Sequence, residues 1–183
     1  MRVGMTFVCL VLWIETVASA QMAGEAEIQG ATTLKPAESV HDPSEWEPDI
    51  QEFEKLDAIQ PPPKNAILFV GSSSIRLWDL EQSFPDLAVI NRGFGGSHIE
   101  DCIHYAESII LPYKPKIIVL YAGDNDIDFG KSPKRVFSDF KAFVKIVHAA
   151  LPKSRIVYIA IKPSISRWNL AGDMRKANRR IRE

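Results

Sequence analysis

The sequence predicts an α/β domain built on a parallel sheet with helices against both faces, and three observations predict it. Two unbroken apolar runs, Ala66 to Val70 and the residues after Lys116 up to Ala122, have the length and continuous hydrophobicity of strands buried on both sides. Segments of helical period separate the strand candidates, the alternation that parallel sheets require. Three strand candidates are followed at their carboxyl ends by glycine and polar residues: Gly71-Ser72-Ser73, Gly93 to Ser97, and Gly123 to Asp126. In a parallel sheet these ends share one edge, so the three polar turns face one crevice.

Composition narrows the class further. The chain has 183 residues with 22 basic and 23 acidic side chains, enough for one domain with a proper core. With no basic excess it does not read as a general nucleic-acid binder. Residues 1–20 have the layout of a signal peptide. Arg2 supplies the positive start, Val3 to Ile14 the apolar stretch, and Ala18-Ser19-Ala20 the small-residue cleavage site before Gln21. Glu15 interrupts the pattern, and the apolar stretch is too short to span a bilayer. The expectation is an exported protein, periplasmic or secreted, with no membrane span. Cys9 would leave with the signal peptide. Cys102 then stands alone, without an internal disulfide partner, and reads as a small buried hydrophobe on a helix. No Cys/His cluster has zinc-ligand spacing, so no metal is expected.

Taken in order, residues 21–43 are polar and aperiodic and read as a flexible leader, so the domain is expected over residues 44–183. Ser44 could cap a helix carrying Ile50, Phe53, Leu56 and Ile59 as an apolar stripe, which Pro61-Pro62-Pro63 ends. The first strand follows, then the serine turn and a short helix to about Trp78. Leu87 to Asn91 is the second expected strand, and a helix is expected from about His98 to Ile110. After the third strand, Pro133 opens a helix with Val136, Phe140, Phe143, Val144 and Val147 on its apolar face. Arg155 to Ile161 is the fourth strand, and Asp173 to Glu183 a basic helix. The basic run Arg175 to Arg182 reads as a solvated helix face rather than a nucleic-acid patch.

Each polar turn has a plain structural reading. The serines suit a helix N-cap, Asn125 suits a turn, and the glycines suit a tight strand-to-helix connection. Each also has a chemical one. A serine at such a turn can act as a nucleophile, and glycine backbone N–H groups with an asparagine amide can stabilise an oxyanion. Found together, in order and on successive strands, they favour the chemical reading.

In these residues the sequence resembles the GDSL-type, or SGNH, hydrolases, a family of esterases, lipases and acylhydrolases. The matching blocks are Phe69-Val70-Gly71-Ser72-Ser73-Ser74-Ile75, Asn91-Arg92-Gly93-Phe94-Gly95-Gly96-Ser97 and Gly123-Asp124-Asn125-Asp126. The resemblance implies a three-layer α/β/α, flavodoxin-like fold with Ser73 as nucleophile. Gly96 and Asn125 would be oxyanion-hole residues, with no cofactor and a small-molecule or carbohydrate ester as substrate. Residues contacting the acyl and alcohol groups, and the oligomeric state, are not readable from the sequence.

Two departures from the family pattern stand out. Ser72 occupies the position that is usually Asp. The late Asp-x-x-His block that supplies the general base has no match after Asn125, where His148 is the lone histidine. Asp101-Cys102-Ile103-His104 has the spacing but lies in the helix after the second block. His98 reads as a helix-starting residue or a substrate contact, and His41 falls in the leader. The expectation is a chain truncated before the final strand and helix, with little or no turnover. The rival reading is a non-catalytic module binding a glycan or acyl ligand in the same crevice. Dinucleotide binding by Gly93-Phe94-Gly95-Gly96 is excluded, because the third glycine of that pattern is replaced by His98 and the motif follows the second strand.

Overall fold

The computed structural model describes residues 41–183. The expected signal segment and residues 21–40 of the leader lie outside the described residues. Four parallel strands, β1 (Ile67–Gly71), β2 (Val89–Gly93), β3 (Ile117–Tyr121) and β4 (Arg155–Tyr158), form one sheet in the order β2-β1-β3-β4. Gly71 is level with Gly93 on one side and with Tyr121 on the other, so three strands end together. This register brings the three polar turns to one edge, as the apolar runs predict.

Eight α-helices connect and flank the strands among the described residues: α1 (Glu47–Ile59), α2 (Ser73–Arg76), α3 (Leu80–Ser83), α4 (Ile99–His104), α5 (Ala106–Ile109), α6 (Asp124–Asp128), α7 (Pro133–Ala150) and α8 (Ala171–Arg182). Alternate strand residues face opposite ways. Leu68, Val70, Ile118 and Leu120 join the main core with Ile50, Ile99, Val136, Phe143 and Met174 from α1, α4, α7 and α8. Phe69, Val119 and Tyr121 face the other way, toward Ile75 of α2 and Leu80 of α3. Cover on this second face is thinner than expected, since α2 and α3 have four residues each. Val157, level with Val119, is 42% exposed there.

Several expected boundaries shift for physical reasons. β2 covers Val89–Gly93 rather than 87–91, because its polar residues find tertiary partners. Asn91 Nδ2 donates to Ile75 O at 2.8 Å, and the Arg92 guanidinium pairs with Asp57 and donates to Tyr113 Oη. The helix expected over 98–110 breaks at Tyr105 into α4 and α5. The stripe on α1 is only partly used: Ile50 is buried, whereas Leu56 and Ile59 are exposed. A 3-10 turn, Pro43–Trp46, precedes that helix; Asp42, not Ser44, caps it, and Trp46 takes the buried position. Residues 124–128, read as part of a turn, form α6. α7 starts at Pro133, with Ser132 accepting from the Arg135 N–H as its cap.

Candidate active site

The first turn is set by Gly71, whose φ of +136° is open only to glycine, and a Cβ there would lie 1.9 Å from Tyr121 O. Ser72 N donates to that same carbonyl at 2.9 Å, tying the turn to β3. Ser72 stands at the N-cap of α2, yet its side chain makes no capping bond. Its buried Oγ has no hydrogen-bond partner among the described residues. Capping therefore does not account for this serine. Ser73, half-buried, is the first residue of α2.

Phe94 N donates to Gly71 O at 2.9 Å, which ties the second turn to the first. Gly96 lies in the left-handed region, at φ +82°. The carbonyl just before it, Gly95 O, accepts from Trp46 Nε1 at 2.6 Å. The third turn joins through Asn125, the second residue of α6, whose Nδ2 donates to Ser97 O at 3.1 Å. Asn125 Oδ1 accepts from Arg167 at 2.9 Å, and the same guanidinium pairs with Asp128 at 2.8 Å. With its oxygen and one N–H engaged, Asn125 keeps one amide hydrogen for a ligand. Lys162 Nζ donates to Ser74 Oγ at 3.0 Å and lies 3.3 Å from Tyr121 Oη.

Arg167 and Lys162 escape the sequence reading. Both lie in the connection after β4, and the edge rule that placed the first three turns extends to it. A basic residue just past the fourth apolar run was the available signal.

A charge network lies against the second and third turns. Ile99 N donates to the Asp126 carboxylate at 3.3 Å, and Lys131 Nζ lies 3.0 Å from it. Burial outweighs the attraction of Lys131 and pushes Asp126 up to about 6. His98, the buried N-cap of α4, is pushed down to about 3 by burial first and by Lys131 next. His41 stacks on His98 with centroids 3.8 Å apart and bonds to Asp101 at 2.8 Å. The ligand atoms of His41, His98 and Glu100 lie within 4.8 Å of one another. The two rings, however, are only 19° from parallel, so their in-plane lone pairs do not converge on one ion. Both Glu100 oxygens are also taken, by Lys131 at 2.8 Å and Arg135 at 2.9 Å. The cluster is an ion-pair network fastening α4, not a ligand set.

The structure also locates the four histidines. His98 is the helix-starting residue. His41, read as part of the leader, packs on α4 through Asp101. His104 is exposed with its ring edge against Tyr105, and Asp101 turns instead to His41 and the His98 N–H. His148 Nε2 lies 3.2 Å from Ser154 O.

A parallel α/β sheet with glycine, serine and asparagine turns converging on its carboxyl edge is the architecture of the flavodoxin-like hydrolases. The chain belongs to the GDSL-like Lipase/Acylhydrolase family, whose model matches residues 76–183. That span holds Gly96 and Asn125 and begins just after Ser73. The chain is 28% identical over 124 residues to platelet-activating factor acetylhydrolase IB subunit alpha1 of Bos taurus, covering 64% of this chain and 50% of that protein. It thus spans about half the length of this curated relative. Among solved structures, a GDSL-like lipase from Bacteroides thetaiotaomicron superposes with a TM-score of 0.64 at 16% identity, over 73% of this chain and 71% of that one. The acetyl xylan esterase AlAXEase superposes with a TM-score of 0.51 at 19% identity, over 63% and 69%. Both share the fold.

Proposed function

We propose that this chain is an exported serine ester hydrolase in which Ser73 is the nucleophile. Ser73 Oγ bonds to the ester carbonyl carbon and passes its proton to a base from solvent, such as imidazole or hydroxide. The Ser73 and Gly96 N–H groups and Asn125 Nδ2 hold the resulting oxyanion. Collapse breaks the bond to the alcohol oxygen, which leaves with the proton that the base took from Ser73, and water then adds to the acyl carbon to release the acid and free Ser73. No metal or organic cofactor enters these steps. The carrying observation is the level ending of β1, β2 and β3, with the Asn125 amide oriented by Arg167 and Ser97. Export rests on the signal-like residues 1–20. Detection of a mature protein beginning at Gln21 supports it, and an intact N-terminus in the expressing cell overturns it.

None of the four histidines is placed as the partner of Ser73, so we assign the described domain low intrinsic turnover. The similarity to the bovine protein, an acetylhydrolase by name, supports short acyl groups as the substrate class. Exogenous imidazole should therefore raise hydrolysis of p-nitrophenyl acetate by the wild-type chain above that by Ser73→Ala. A p-nitrophenyl phosphonate should label Ser73, as read by mass spectrometry, without needing deacylation. Equal rates in the two proteins, together with no label on Ser73, would sink the nucleophile assignment and favour a binding module.

A further inference from the structure

We infer that Trp46, far outside the three motif turns, is a positioning residue that aims the Gly96 N–H into the oxyanion hole; this rests on the esterase reading above. Gly95 C=O and Gly96 N–H belong to a single peptide group. No peptide bond among the described residues is cis, and in a planar trans peptide the C=O and N–H point in opposite directions. Trp46 Nε1 donates to Gly95 O at 2.6 Å. Holding that oxygen toward the indole therefore sends the Gly96 N–H the other way. Gly96 itself, at φ +82°, lies in a region where glycine has wide freedom, so the local chain does not set this plane unaided. Trp46 does.

The indole is held firmly enough for the task. Trp46 is 6% exposed, and its ring meets Phe94 edge-on at 6.3 Å. The segment leading to it is fastened to the same connection and to α4. His41 bonds to Asp101 at 2.8 Å and stacks on His98, while Tyr105 Oη donates to Pro43 O at 2.8 Å. Residues 41–46 thus form a strap whose anchor points, Gly95, His98, Asp101 and Tyr105, all belong to the second turn or to α4 and the residues that cap it. The matching device on the third turn is Arg167, which holds the Asn125 oxygen and so aims its amide nitrogen. One donor is oriented from upstream of the motif turns and the other from downstream.

The test compares wild type with Trp46→Phe and with benzothienylalanine incorporated at position 46, which keeps the shape of the indole and lacks its N–H. The residual dipolar coupling of the Gly96 amide reads the direction of that N–H bond without requiring turnover. It should change in both variants while couplings in β1 and β3 stay as in wild type. The Ser73 phosphonylation rate should fall about tenfold or more, as expected for a misdirected oxyanion donor. An unchanged Gly96 coupling in the benzothienylalanine protein overturns the inference. A changed coupling with an undiminished labelling rate also overturns it, since the peptide plane then has no bearing on the site. If wild type takes no label at Ser73 and imidazole raises its rate no more than that of Ser73→Ala, the esterase reading fails, and a changed Gly96 coupling would still support Trp46 as the residue that sets the plane.

Discussion

Asn125 is an amide with one task left open. Its oxygen and one hydrogen are engaged by Arg167 and Ser97, so the remaining N–H is aimed without reorganisation. Preorganised donors of this type matter most in the transition state, and Asn125→Ala should slow Ser73 phosphonylation roughly 10²–10³-fold. Ser72 gives the opposite expectation. Its buried hydroxyl has no partner among the described residues, so Ser72→Ala should keep the label on Ser73 and raise stability by up to about 1 kcal/mol in urea melts. His98 makes a pH-dependent contribution. Its folded value near 3 lies below the ordinary 6.5, so the unfolded chain binds the proton first. The stability due to neutral His98 is complete above about pH 6.5 and drains away as pH falls toward 3. Asp126, raised from 3.8 to about 6, works in the other direction between those two values. Asparagine can still cap α4, so His98→Asn isolates the histidine. Below pH 6.5 the wild type should lose stability relative to this variant by on the order of 1 kcal/mol per pH unit.

At the level of elements, the site depends on strand ends that stay level and on helices pinned beside them. Gly71 is the tightest point of the first turn. Gly71→Ala would force a methyl into Tyr121 O at a φ that alanine avoids, parting β1 from β3 just below Ser73. The expected cost is about 3 kcal/mol or more, with loss of Ser73 labelling, measurable by urea denaturation and mass spectrometry. α4 and α6 are joined through Lys131, which reaches Glu100 and Asp126 from the loop before α7. Lys131→Met would leave the buried Asp126 carboxylate without its cation. Stability should fall by about 3 kcal/mol at pH 8, and the loss should shrink as pH drops toward 6, because without the lysine Asp126 takes up its proton above that value. A loss independent of pH would show that the lysine acts through packing alone.

For the whole described domain, β1, β2 and β3 supply the three motif turns. The connection after β4 and the strap of residues 41–46 hold two of those turns in place. The existence of all four strands was legible in the chain, whereas their order, β2-β1-β3-β4, is decided by the tertiary structure. Unbroken apolar runs carry a local signal, and the glycine and polar residues behind them mark the carboxyl edge. The short helices were less legible. α3 and α6, of four and five residues, are too brief for a period to show. β2 was misplaced by two residues because Arg92 and Gly93 look like turn residues until Tyr113 and Asp57 are beside Arg92.

The polar strand ends were legible from local pattern, and the resemblance of those three blocks to the GDSL-type hydrolases singled out Ser73, Gly96 and Asn125 among them. Their orientation was not legible. Trp46 reaches Gly95 across 49 positions, Arg167 reaches Asn125 across 42, and His41 reaches Asp101 across 60. No periodicity spans such intervals. Which hydrogen bond a turn residue accepts or donates is settled only when folding brings distant segments within about 3 Å. The chain's local chemistry thus marks the candidate nucleophile and the oxyanion donors, and the packing of the strap and of the segment after β4 decides where those donors point.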